Sequence, residues 1–246
     1  MTQLYGIIGK SLGYSYSQRY FEQKFKTEGL SDNQYLLFEL KDISELPILL
    51  AKHPDMCGFN VTIPFKQTII PFLDELSPEA AAIGAVNVVR VGQGSHLVGY
   101  NTDALGFEVS LEGLELPGRA LVLGTGGAAA AVAHVLRQKD IQYVRVSRAG
   151  IDGSLTYEQI TEAVAHDCMF WINCTPVGTL GFPDQLLPLP YHVLTEKHFL
   201  YDLVYNPEET PFLREGVMRG ARTQNGLRML QLQAEAAWHI WNSLEK

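Results

Sequence analysis

The sequence predicts an α/β protein of two domains, each built around a mostly parallel sheet. Three observations lead there. Short apolar runs closed by glycine or polar residues alternate with stretches of helical periodicity along most of the chain. A glycine-rich run, Gly124-Thr125-Gly126-Gly127-Ala128, separates an apolar strand from an alanine-rich helix in the second half. The length, 246 residues, suits two domains of roughly 100–150 residues or one large one.

Composition narrows the function classes. The chain is 46% hydrophobic with a formal net charge of -8, so no basic face is expected and nucleic acid is excluded as a partner. Cys57, Cys168 and Cys174 form no CxxC pair, which argues against a disulfide framework and against a structural zinc site. An odd set of free thiols fits a reducing cytoplasm. The first residues carry no basic start before an apolar run, and no apolar run approaches the roughly 20 residues of a membrane span, so neither a signal peptide nor a membrane partner is expected. The scattered histidines show no HxxxH pair, and no metal is expected.

The elements follow in order. Residues 4–9 read as a buried first strand. A hydroxyl-rich loop comes next, then a helix over 18–26 with Tyr20, Phe21 and Phe25 on one face and Ser17 as its N-cap. Strands are expected at 35–40 and 58–63, with a helix over 43–52 between them. The third strand should end at Pro64, because proline cannot donate to a ladder. A helix or turn at 65–73 and a short helix at 78–83 precede two strands, 85–91 and 96–100, joined as a hairpin. A helix over 104–111 carries the chain across a domain boundary near residue 104. Strands then recur at 119–123, 143–146, 169–174 and 199–205, and helices at 124–138, 157–164, 210–219 and 227–244. Strand-helix-strand order implies parallel pairing.

Chemistry is expected at the element ends. Lys66 lies just past the third strand. There its stem can be packed and its amine tuned by burial and a neighbouring carboxylate, although the stretch alone reads more plainly as a surface lysine after a turn. Ser15 and Ser17 precede a helix N-terminus, where amides and dipole favour an anion; an ordinary capped loop is the alternative. Asn60, Thr62, Asn87 and Asp103 also end elements, and ligands of open parallel sheets bind outside the carboxyl ends of strands. Such hydroxyls and amides, with one lysine and one aspartate, suit a small polyhydroxylated acid. The glycine run fits G-x-G-x-x-A through Gly124, Gly126 and Ala129, in the strand-to-helix context that a pyrophosphate site requires, and makes the second half a Rossmann-type doubly wound nucleotide domain. After the next strand stand Ser147 and Arg148 where an acidic residue would select NAD. An arginine can pair with a 2′-phosphate, which favours NADP, while Asp152 a few residues on argues the other way.

The whole set resembles the shikimate dehydrogenase family. Tyr14-Ser15-Tyr16-Ser17 resembles its S-x-S carboxylate motif, and Asn60-Val61-Thr62-Ile63-Pro64-Phe65-Lys66 its N-V-T-x-P-x-K stretch. Gly84-Ala85-Val86-Asn87, Asn101-Thr102-Asp103, Asn173-Cys174-Thr175-Pro176-Val177-Gly178, Asp202-Leu203-Val204-Tyr205-Asn206-Pro207 and the closing run from Gly226 to Ala234 match later segments. The resemblance implies NADP-dependent, reversible reduction of 3-dehydroshikimate to shikimate. It implies a substrate domain over 1–104 plus 226–246 and an NADP-binding domain over 105–225. It makes Lys66 and Asp103 the catalytic pair, with Ser15, Ser17, Asn60, Thr62, Asn87, Tyr205 and Gln233 around the substrate. It assigns Gly124, Gly126, Gly127, Ala128, Ser147, Arg148, Thr175, Val204 and Gly226 to the cofactor. Departures are Tyr14 for the family histidine, Gln18 for the proline after the second serine, and Ser147-Arg148-Ala149 for N-R-T, which lacks a second arginine. A quinate or aminoshikimate dehydrogenase, and a non-catalytic dinucleotide sensor, are the rival readings. Oligomeric state is left open, a homodimer included.

Overall fold

The computed structural model describes residues 3–13, 15–151, 153–179, 181–182 and 184–243. Tyr14 and Asp152, singled out above, lie outside the described residues. The chain divides into two compact units, residues 1–105 with 233–246, and residues 106–232.

The first unit begins with β1 (Gln3–Gly9), α1 (Tyr16–Thr27), β2 (Asn33–Glu39), α2 (Leu46–Lys52) and β3 (Met56–Val61). It continues through β4 (Glu75–Leu76), α3 (Pro78–Ile83), β5 (Val88–Val91) and β6 (Leu97–Tyr100) to α4 (Thr102–Ser110), within which the boundary falls. Among the described residues its strands form one sheet in the order β2-β1-β3-β5-β6-β4. The pairs β1–β2, β1–β3 and β4–β6 are parallel, whereas β5 runs antiparallel to both β3 and β6. The hairpin β5–β6 explains its own antiparallel pair, since a short turn reverses the chain where a helical crossover cannot fit.

Period-two burial builds two cores. Leu4 and Ile8 face Phe59, Leu46 and Ile69, while Tyr5 and Ile7 face Phe21, Phe25 and Trp241. The second face is closed by α1 and by the last helix, α8 (Leu227–Asn242), of which the part from Gln233 belongs to this unit. Trp241 lies over Gly58 of β3, donates its indole N–H to the Val89 carbonyl at 3.0 Å, and packs on Tyr5 and Phe21 at centroid distances of 5.1 and 5.2 Å. Lys24 of α1 bridges to Glu235 of α8 at 2.9 Å.

The second unit holds β7 (Ala120–Leu123), α5 (Gly127–Gln138), β8 (Tyr143–Val146), α6 (Glu162–Asp167) and β9 (Phe170–Asn173). It ends with β10 (Phe199–Asp202), α7 (Pro211–Met218), β11 (Arg222–Gln224) and the start of α8. All pairs of its sheet, β11-β10-β9-β7-β8, are parallel. Strands covered on both faces read as continuous apolar runs, as Ala120–Leu123 and Phe170–Ile172 do.

Several local expectations change. Ser15, not Ser17, caps α1, accepting from the Gln18 amide at 3.4 Å, so the helix starts two residues early. The third strand stops at Val61, before Pro64, because the Thr62 carbonyl already turns the chain by accepting from Phe65. Asn87 precedes β5 rather than lying in it, and Asp103 sits in the first turn of α4 rather than ahead of it. The helix expected over 157–164 is a 3-10 turn followed by α6, split because the Thr161 hydroxyl caps the second piece. Short β4 and β11 carried no apolar run long enough to read. Among the described residues no helix is long and apolar enough to cross a membrane.

An added Cβ at Gly58 would stand 2.2 Å from the Trp241 ring. Gly58→Ala is therefore expected to destabilise the protein by about 1–3 kcal/mol, the usual cost of overpacking. Chemical denaturation followed by tryptophan fluorescence measures it.

Candidate active site

The polar residues of the first unit converge on Asn87, which is buried at 3% exposure in the turn before β5. Its Nδ2 lies 3.0 Å from Thr102 Oγ1, 3.0 Å from Asp103 Oδ1 and 3.3 Å from Gln233 Oε1, and its Oδ1 accepts from the Thr102 amide at 2.7 Å. Two amide hydrogens are thus shared among three acceptors. The start of α4 is set by Asn101, whose Oδ1 accepts from the Ala104 amide at 3.1 Å while its Nδ2 donates to the Ala85 carbonyl at 2.9 Å. That cap aims Asp103 at Lys66: Oδ2 to Nζ is 2.5 Å, with both side chains largely buried. An ammonium has three donor hydrogens; Asp103 takes one, and two are left for a ligand oxygen.

A second chain of contacts runs alongside. Asn60, at the end of β3, donates from Nδ2 to the Asn87 carbonyl at 3.4 Å and accepts at Oδ1 from the buried Tyr35 hydroxyl at 2.6 Å. Ser17, in the first turn of α1, is buried at 9% exposure. Thr62 stands just past β3, its amide donating to the Ile8 carbonyl. The structure thus joins Lys66, Asp103, Asn87 and Gln233 in one network and ties Asn60 to it. Ser15 is engaged as a helix cap. Tyr205, half-buried, belongs to the second unit.

In the second unit every residue assigned to a cofactor stands beyond the carboxyl end of a strand. Gly124, Gly126, Gly127 and Ala128 follow β7, Ser147 and Arg148 follow β8, Thr175 follows β9, Val204 follows β10 and Gly226 follows β11. The strand order reverses between β7 and β9, which pair Leu123 with Asn173, so the glycine turn and the turn at Thr175 flank the switch point where such sheets bind ligands. Gly124 has φ +115, a conformation that L side chains rarely adopt. A Cβ on Gly126 would meet open space, and this N-cap offers α5 no side-chain oxygen, so the first-turn amides are left for an anion. These features fit a dinucleotide pyrophosphate. Gly226 has a different reason: a Cβ there would stand 2.1 Å from the Leu203 carbonyl oxygen. The Ser147 hydroxyl pairs with Ser154 Oγ at 2.8 Å and accepts from the Gly150 amide at 3.0 Å, closing the loop that carries exposed Arg148.

Sequence reasoning gave no role to Tyr35, Thr102, Asn173 or Asp202. Tyr35 reads as one more aromatic in an apolar strand, whereas a polar residue closing an apolar run, as at Asn173 and Asp202, was a usable signal. Asp202 is buried and receives Asn173 Nδ2 at 2.9 Å, the Val204 amide at 3.0 Å and the Thr210 hydroxyl at 2.6 Å. It clamps the turn after β9 to the turn after β10. Burial pushes its carboxyl up to about 7, against the pull of those donors.

Fold and site together define a class: an α/β oxidoreductase of the nicotinamide-dependent kind, with a lysine–carboxylate pair in one unit and a dinucleotide turn in the other. Comparison with known proteins narrows it. A family model described as the shikimate dehydrogenase substrate binding domain matches residues 7–89. The NADP(+) shikimate dehydrogenase of Pelodictyon phaeoclathratiforme is 36% identical over 265 residues, covering 99% of this chain and 93% of the relative. A crystal structure of the Thermus thermophilus shikimate 5-dehydrogenase with NADP(H) and shikimate matches at TM-score 0.85 and 33% identity, covering 99% of this chain and 94% of that one. The quinate dehydrogenase of Corynebacterium glutamicum, in complex with NAD, matches at TM-score 0.85 and 28% identity, covering 99% and 95%. The chain belongs to the shikimate dehydrogenase family.

The Asp202 carboxyl yields a pH prediction. Its folded value lies above that of an unfolded aspartate, so the folded state holds the extra proton and its contribution to stability is present at low pH. That contribution is lost as pH rises from about 4 to about 7. Asp202→Asn mimics the protonated form, so its stability relative to the unaltered chain should improve across that window and level off above it. Urea midpoints at pH 5 and pH 8 test the difference.

Proposed function

We propose that this chain catalyses the reversible, NADP-dependent reduction of 3-dehydroshikimate to shikimate. The observation that carries the reading is the Lys66–Asp103 pair, held at 2.5 Å by a network centred on Asn87. The first unit takes the substrate and the second the cofactor. Bound NADPH supplies the hydride that reduces the ketone carbon. As that carbon–hydrogen bond forms, the carbonyl oxygen gains alkoxide charge, which an ammonium beside it stabilises. Lys66 delivers a proton to this oxygen and becomes a neutral amine; solvent restores its proton. Asp103 orients the amine before the step. In the direction of shikimate oxidation Lys66 accepts the hydroxyl proton instead.

Asn60, Asn87, Thr62 and Gln233 bind the ring hydroxyls, and Ser15 and Ser17 take the carboxylate, with Tyr205 beside the substrate. The amides at Gly126, Gly127 and Ala128 receive the pyrophosphate, with Gly124 setting the turn. Arg148 pairs with the 2′-phosphate on a loop closed by Ser147. Thr175, Val204 and Gly226 flank the nicotinamide end. These roles are supported by their shared place at strand ends and by the NADP(H) and shikimate bound to the Thermus relative. The homology to a quinate dehydrogenase makes quinate the rival substrate.

Lys66→Ala should lower kcat by at least about 100-fold, the low end for a general acid-base group, with a smaller change in shikimate affinity. Turnover close to that of the unaltered chain removes Lys66 from the mechanism. Absorbance of the reduced nicotinamide, followed with shikimate and quinate and with NADP and NAD in turn, should show the fastest reaction with shikimate and NADP. Faster oxidation of quinate replaces the substrate assignment.

A further inference from the structure

Tyr35 is a residue to which neither the sequence motifs nor the reaction assigns a task. It lies in β2 at 3% exposure, with its ring stacked on Phe21 of α1 at a centroid distance of 4.7 Å and an interplanar angle of 15°. Its hydroxyl reaches a residue placed at the substrate, donating to Asn60 Oδ1 at 2.6 Å.

The proton count orients this chain of contacts. A phenol has one hydrogen. Asn60 Oδ1 can only accept, so that hydrogen goes to Asn60. Burial raises the phenol well above its usual range, which keeps the donor protonated at any working pH. The Asn60 amide is held from both ends, with Oδ1 facing Tyr35 and Nδ2 facing the Asn87 carbonyl. A flip would set the Asn60 carbonyl oxygen against the Asn87 carbonyl oxygen, acceptor facing acceptor, so one orientation survives. The second Nδ2 hydrogen is left as the group that Asn60 can present to a ligand oxygen.

We propose that Tyr35 is a positioning residue for the substrate: through its hydroxyl it fixes the donor orientation of Asn60. This rests on the reading of Asn60 as a substrate contact. Tyr35 touches no reacting atom, so it acts on binding rather than on the chemical step.

Tyr35→Phe keeps the stacked ring and removes only the hydroxyl. Calorimetric titration with shikimate should show affinity weaker by about 10-fold, the scale of one hydrogen bond. The kcat should stay within about threefold and the KM for NADP within about twofold, a split that loss of general stability does not produce. In an Asn60→Ala background, adding Tyr35→Phe should weaken shikimate by less than about threefold, because the group it orients is gone. Shikimate affinity unchanged within about twofold in the single variant, or effects that multiply in the double variant, overturn the proposal. Turnover of the unaltered chain on shikimate, measured alongside, reports separately on the site reading.

Discussion

The contact on which the candidate site depends is the Asn87 side chain. One buried amide receives the first turn of α4, the carboxylate of Asp103 and the amide of Gln233 on α8. A half-satisfied polar network in a low-dielectric interior is costly, so each partner is held where the others need it. Asp103 then has one oxygen committed to Asn87 and the other to Lys66, which leaves the ammonium a narrow range of orientation. Removing either charge would strand the other in a largely buried place, at a cost of about 3–5 kcal/mol.

That network requires α8 to be seated, and its seat is apolar. Trp241 fills the space over Gly58, and its N–H answers the Val89 carbonyl. Gln233 lies about two turns earlier on the same helix and so is carried to Asn87 by packing that has no chemistry of its own. Packing and site are thereby coupled along one rigid element, which explains why the helix begins in the second unit yet contributes its site residue to the first.

The second unit shows the same division of labour. Its glycine turn leaves amides open, and Asp202 occupies the spot behind it where the turns after β9 and β10 meet. The carboxyl there is held by three donors; it fixes the Val204 amide directly and, by holding Asn173, sets the Oδ1 that accepts from both the amide and the hydroxyl of Thr175.

The sequence by itself determined the alternation of strands and helices, the glycine turn after β7, and the placement of Asn60 near the end of β3 with Lys66 in the turn beyond it. Each of these follows from local periodicity or from a residue whose backbone constraints act within a few positions. It read the β5–β6 reversal as a hairpin, but it did not determine that β5 lies antiparallel to β3, the cap of α1, or the short β4 and β11, since these are decided by neighbours distant in the chain. Nor could it pair Gln233 with Asn87 or find Tyr35 behind Asn60. A tyrosine in an apolar strand looks the same whether its hydroxyl faces a carbonyl or a functional amide. Only the tertiary structure brings the partner to it, because hydrogen-bond direction is a property of the pair and not of either residue.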